Sequence, residues 1–159
     1  MHFSLIDRIT SLTPGESITA VKNLSLAEEY LADHFPGFPV MPGVLMIESM
    51  VQAGAWLMRH TEEFRYSTVL LKRARGVRFN NFLRPGHTLE VTVDVHEIGE
   101  ASWVVKGKGT VEGKSAVSAR LTLEQFNLRD RNPAMAESDA ERVKWLQSKF
   151  RQLWTVPVT

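Results

Sequence analysis

His34-Phe35-Pro36-Gly37-Phe38-Pro39-Val40-Met41-Pro42-Gly43-Val44-Leu45-Met46-Ile47-Glu48 joins a proline-stiffened loop to a long apolar helix. The loop carries an imidazole, and the helix carries one carboxyl group on a face that otherwise reads as buried. Three prolines and two glycines within ten residues fix a specific backbone path. The helix opens at Pro42-Gly43, where the first backbone N–H groups are free to receive an anion or a polarised carbonyl. A base, an acid and an oxyanion site are the parts needed to remove a proton beside a carbonyl.

The apolar pattern predicts a helix over 44–59. Glu48 and Gln52 stand at i and i+4 and share a face. Their neighbours Leu45, Met46, Ile47, Met50, Val51 and Ala53 are apolar, and a carboxyl group in such surroundings favours its proton-bearing form. The competing explanation is an arginine partner or a wet edge for Glu48. Among the other histidines, His60 reads as a cation at the helix C-terminus, and His2, His87 and His96 have no evident partner. No histidine pair has metal-ligand spacing on one face, so no metal is expected. A Ser-His-Asp signature, a phosphate-cradling glycine loop and a dinucleotide fingerprint are all missing.

Outward from this helix the periodicity changes. Upstream, Ser17 to Leu24 alternates after the turn at Thr13-Pro14-Gly15, and Ala27 to Leu31 has room for one helical turn. Downstream, Leu89, Val91, Val93 and Val95 alternate with polar residues, as in a half-buried strand. Turns at Ile98-Gly99-Glu100 and Glu112-Gly113-Lys114 then give three consecutive antiparallel strands. Gly107 and Gly109 fall in the middle one and read as packing relief. In the tail, Ser138-Asp139-Ala140-Glu141 has the form of a capping box. Val143, Leu146, Phe150 and Leu153 follow at helical spacing. The expectation is an α+β domain over 1–126. A C-terminal extension over 127–159 carries one amphipathic helix, docked on the domain or on a partner subunit.

Bulk properties narrow the function. At 159 residues, with 43% hydrophobic and 23% charged residues, the chain is the size and composition of one globular domain. A net charge of +1 points to no nucleic-acid partner, and the absence of cysteine removes disulfides and thiol chemistry. The N-terminal residues do not read as a signal peptide. The apolar stretch from Val44 to Met58 is interrupted by Glu48 and Gln52, so a cytoplasmic protein without membrane insertion is expected. The run Lys72-Arg73-Ala74-Arg75-Gly76-Val77-Arg78, with Arg84 beyond, is a solvated face or a docking surface for an acidic protein.

The segment from His34 to Gln52 resembles the (3R)-hydroxyacyl-acyl-carrier-protein dehydratases of the FabZ type. The likeness rests on His34-Phe35-Pro36-Gly37, on Pro39 to Leu45, and on Glu48 and Gln52. Ala20 to Ser25, Val77-Arg78-Phe79 and Pro85-Gly86 extend it. It implies the hotdog fold, a long central helix wrapped by a curved antiparallel sheet. It also implies a homodimer with a continuous sheet, often built into a trimer of dimers, with His34 of one subunit facing Glu48 of the other. In such a site His34 abstracts the α-proton, the Gly43 N–H holds the thioester oxygen, and Glu48 protonates the departing 3-hydroxyl. Gln52 orients Glu48, while Phe35, Val44 and Phe79 line the acyl tunnel. No cofactor is implied beyond the phosphopantetheine arm of the partner, acyl carrier protein, which would dock on Lys72, Arg73, Arg75, Arg78 and Arg84. Glutamate rather than aspartate at position 48 favours dehydration without isomerisation. The charged stretch Lys72 to Gly76, His87, and the tail beyond Asn127 depart from the family pattern. The alternatives are a non-catalytic hotdog module that binds acyl carrier protein or a partner subunit, and a thioesterase on the same fold.

Overall fold

Leu89, Val91 and Val93 are fully buried while Glu90 and Asp94 face solvent, and this alternation makes one strand of a six-stranded sheet. The computed structural model describes residues 3–33 and 37–155. Strands β1 (Arg8–Thr13) and β2 (Ser17–Asn23) come first, then a 3-10 turn at Glu29–Ala32 and helix α1 (Gly43–Thr61). Strands β3 (Thr68–Phe79), β4 (Thr88–Ile98), β5 (Ser102–Val111) and β6 (Lys114–Phe126) follow, and helix α2 (Ala136–Leu153) is the last element among the described residues. The strand order is β1-β2-β4-β5-β6-β3, with every pair antiparallel. Register shifts in β1, β3 and β4 bend the sheet around α1. This is the α+β hotdog arrangement, with an added C-terminal helix.

The predicted hairpins are present. Glu112 and Gly113 both have positive φ, 53° and 78°, the geometry of a two-residue turn that matches strand twist. Close approach of helix and sheet depends on two glycines. A Cβ on Gly54 would lie 2.7 Å from Leu123 Cδ1, and one on Gly107 would lie 2.8 Å from Met50 Sδ. Gly107 therefore relieves packing, as its place in a strand suggested.

The tail differs from its sequence reading. Helix α2 begins at Ala136, so Ser138 and Asp139 lie inside its first turns and form no capping box. Asp139 instead turns inward, 3% exposed, and accepts hydrogen bonds from Ser67 Oγ (2.5 Å), Leu128 N (3.0 Å) and Arg129 N (2.9 Å). A capping box does form earlier, between Asn127 and Asp130 around the turn at Leu128–Asp130. Leu146, Phe150 and Leu153 bury their side chains, and Phe150 stacks on His60 at 5.0 Å between ring centroids. Trp56 and Phe64 close on the same ring. The amphipathic helix thus docks on its own domain.

Candidate active site

Glu48, Val51, Gln52, Ala55, Trp56 and Arg59 recur at helical spacing on the face of α1 turned away from Met50 and Gly54. They form one wall of a cavity of about 300 Å³. Phe3 and Ser4 stand over one end of it, and Val69 and Leu70 of β3 with residues of α2 close the rest. Glu48 is half-buried and makes no ion pair among the described residues, so the arginine partner considered from sequence is not found.

Gln52 reaches the carboxyl from one turn along, on the face that its spacing assigned to both. Its Nε2 donates to Glu48 Oε1 at 3.3 Å and to the Phe3 carbonyl at 3.0 Å. Its Oε1 accepts from Leu5 N at 2.7 Å. The N-terminal segment therefore fixes which way the amide points. Phe3 and Leu5 were missed from sequence because they act through backbone atoms, which no side-chain pattern records.

Gly43 heads α1 beside a second cavity of about 320 Å³, whose walls include Val44, Met46, Phe79 and Phe82. The N-cap residue Pro42 supplies no side-chain hydrogen bond. The Pro42 carbonyl receives Leu45 N at 2.9 Å and Met46 N at 3.3 Å, so the Gly43 and Val44 N–H groups precede the first intrahelical bonds. The Phe79 ring lies over Gly43, so any side chain at that position would have to displace it. A Cβ there would come within 2.7 Å of Phe79 Cε1. Val44 is 70% exposed and Phe79 half exposed, so both residues expected at the acyl tunnel stand at an open surface of the single chain. Phe38 and Phe82 pack edge-to-face at the same place, an aromatic pair that sequence reasoning did not single out.

Gly43 and Glu48 are five residues apart, roughly 140° around the helix. Within one chain they open into separate cavities. His34 and Phe35 lie outside the described residues. The segment leading to them is tied down: Lys22 is buried, pairs with Glu28 at 2.5 Å and reaches Asp7 at 3.7 Å, while Leu31 enters the core.

The basic run divides. Lys72, Arg73, Arg75 and Arg78 are exposed along β3, an edge strand. Register sets Arg73 opposite Thr122, Arg75 opposite Arg120 and Arg78 opposite Ser118, on the outer face of the sheet. Arg84 stands apart, its guanidinium 5.1 Å from the Phe38 ring centroid. His87 has a partner after all, Glu112 Oε1 at 3.1 Å, which a turn 25 residues downstream delivers. Among the described residues no cluster of His, Cys, Asp or Glu is arranged to hold a metal.

A long helix wrapped by a curved antiparallel sheet, with its uncapped N-terminus over an apolar cleft, defines a hotdog-fold protein. The family model for the FabA-like domain matches residues 1–120. A Levilactobacillus brevis protein named 3-hydroxyacyl-[acyl-carrier-protein] dehydratase FabZ is 42% identical over 117 residues, covering 74% of this chain and 79% of that one. A protein of the same name from Janthinobacterium sp. (strain Marseille) is 36% identical over 136 residues, covering 84% and 87%. The chain belongs to the FabA-like family, among its FabZ-type hotdog dehydratases. Solved structures share the fold. The dehydratase heterocomplex ApeI:P from Xenorhabdus doucetiae superposes with a TM-score of 0.69 at 20% identity, covering 84% of this chain and 90% of that one. The E. coli PaaI protein superposes with 0.56 at 12%, covering 74% and 81%.

Proposed function

We propose that this protein removes water from (3R)-3-hydroxyacyl thioesters on acyl carrier protein, giving trans-2-enoyl thioesters in fatty-acid or related acyl-chain synthesis. The observation that carries the reading is Glu48, held by Gln52 in a cavity separate from the one beneath the Gly43 N–H. That separation supports a reading in which acid and oxyanion donor serve different copies of the chain. In each site His34 of one subunit takes the proton from Cα, and the Gly43 N–H of that subunit receives the charge developing on the thioester oxygen. The Cα–Cβ double bond forms as the Cβ–O bond breaks. Glu48 of the other subunit gives its proton to the leaving hydroxyl, which departs as water.

Assembly through β3 fits this division of labour. The strand is twelve residues long, lies at the sheet edge and exposes Leu70, Leu71, Val77 and Phe79. An unpaired edge of that length, apolar toward both ends with its cations between, offers its free backbone groups to a second strand, which would continue the sheet across a homodimer. The exposed arginines of β3, with Lys72 and Arg84, offer positive charge to an acidic carrier protein.

Incubation with 3-hydroxyacyl carrier protein of several chain lengths should produce enoyl thioester. His34→Ala and Glu48→Gln should each lower kcat by about 10²- to 10⁴-fold. Release of free acid instead, or no turnover while another dehydratase works alongside, would overturn the assignment.

A further inference from the structure

Arg59 lies three helical turns beyond Glu48 on the same face of α1, about 16 Å along the axis, and lines the same cavity. Its residue is 9% exposed, its Nε has no hydrogen-bond partner, and no carboxylate pairs with it among the described residues. The guanidinium stacks over the Trp56 ring at 4.9 Å. Arg142 of α2 comes to the same end, anchored by its Nε to the Ser67 carbonyl at 2.9 Å, and Lys149, about two turns further along α2, lines the same cavity. Burial, with Arg142 adding to it, lowers the Arg59 pKa to about 10, which leaves the group charged at neutral pH. A buried cation without a counter-charge is costly, and one partnered on binding gains correspondingly. Between the two ends, Val51, Ala55, Val69 and Leu146 supply carbon walls.

We infer that this cavity selects 3-hydroxyacyl thioesters whose far end carries a carboxylate. The chain would lie along α1, rather than along Val44 and Phe79 as the resemblance implies for an acyl tunnel, with its reacting carbons at Glu48 and its terminal carboxylate at Arg59, Arg142 and Lys149. The inference rests on the dehydratase reading and names the substrate class for the same site. Helix α2 is then a specificity element: it brings two of the three cations and closes the cavity at their end.

The test uses two pantetheine thioesters of equal length, one ending in methyl and one in carboxylate. Both lack the 3-hydroxyl and so cannot react. Trp56 and Trp145 line the cavity and give a fluorescence readout of binding. At pH 7 the carboxylate-ended thioester should bind about tenfold more tightly or better, the level of one charge-assisted hydrogen bond. Arg59→Met should remove most of that ratio. Should this variant not fold, Arg142→Gln and Lys149→Gln together must reduce the ratio instead. Equal affinity for the two thioesters, or a ratio unchanged in the variants, overturns the inference. The matching 3-hydroxy substrates separate the two readings. Turnover of both at equal efficiency sinks the selectivity alone. Preferential binding of the carboxylate-ended form with no enoyl product sinks the dehydratase assignment and leaves the anion site standing.

Discussion

At the scale of single residues, Gln52 uses both ends of its amide, so its effect reaches beyond Glu48. Gln52→Ala leaves Leu5 N–H without its acceptor and Glu48 without its donor. A loss of about tenfold or more in kcat is expected, together with faster hydrogen exchange at Leu5. If exchange at Leu5 is unchanged, the amide does not hold the N-terminal segment. Gly43 gives a sharper case, because steric and electrostatic roles can be separated there. Gly43→Ala drives a methyl group into Phe79 and should lower kcat/KM about 10- to 100-fold. Adding Phe79→Ala should restore part of it, since the N–H itself survives both changes. Asp139 governs acid stability. Desolvation works to raise its carboxyl, but hydrogen bonds from Ser67, Arg129 and Leu128 outweigh it and hold it below its ordinary value. The folded form is the stronger acid, so its contribution is present above the unfolded carboxyl's range and fades as pH falls through the lower folded value. Asp139→Asn should therefore flatten the acid limb of a Tm-against-pH profile below about pH 4. A limb as steep as in the wild type would refute the link.

Among the elements, α2 is fastened by one aromatic anchor. Phe150 fills a slot between Trp56, His60 and Phe64, and Phe150→Ala should cost about 3 kcal/mol, measured by chemical denaturation. A cost under about 1 kcal/mol would mean that the helix adds little to the fold. This helix also shows where sequence reading stops. Its apolar stripe at Leu146, Phe150 and Leu153 was legible because burial repeats with the helical period. Its start was not. Ser138 to Glu141 satisfies a capping pattern, yet Asp139 is drawn inward by Ser67, 72 residues away, and that contact has no local signature. The strands were easier, since alternation and the Glu112-Gly113 turn act between neighbours in sequence. The edge strand β3 lacks alternation, with ten of its twelve residues exposed, because neither of its faces is fully covered within one chain.

For the whole molecule, the proposed division of the site between copies makes a prediction that a single-chain site does not. His34→Ala and Glu48→Gln variants should each be inactive alone. Co-expressed, they should regain about a quarter of wild-type activity, because half the dimers are mixed and each mixed dimer keeps one intact site. No recovery, with mixed dimers verified by mass spectrometry, would place the two groups within one subunit. Sequence by itself determined the helix, the alternating strands β2 and β4 to β6, the carboxyl at 48 with its amide at 52, and the glycine at the helix start. Each is written in local spacing, where side-chain period and backbone geometry act over a few residues. Tertiary structure alone decided that the N-terminal backbone aims Gln52, that the Phe79 ring lies over Gly43, and that Glu48 and Gly43 open into different cavities. It also decided that α2 brings Arg142 to the buried Arg59. Those contacts join residues far apart in the chain, and only the packing of helix on sheet brings them within reach.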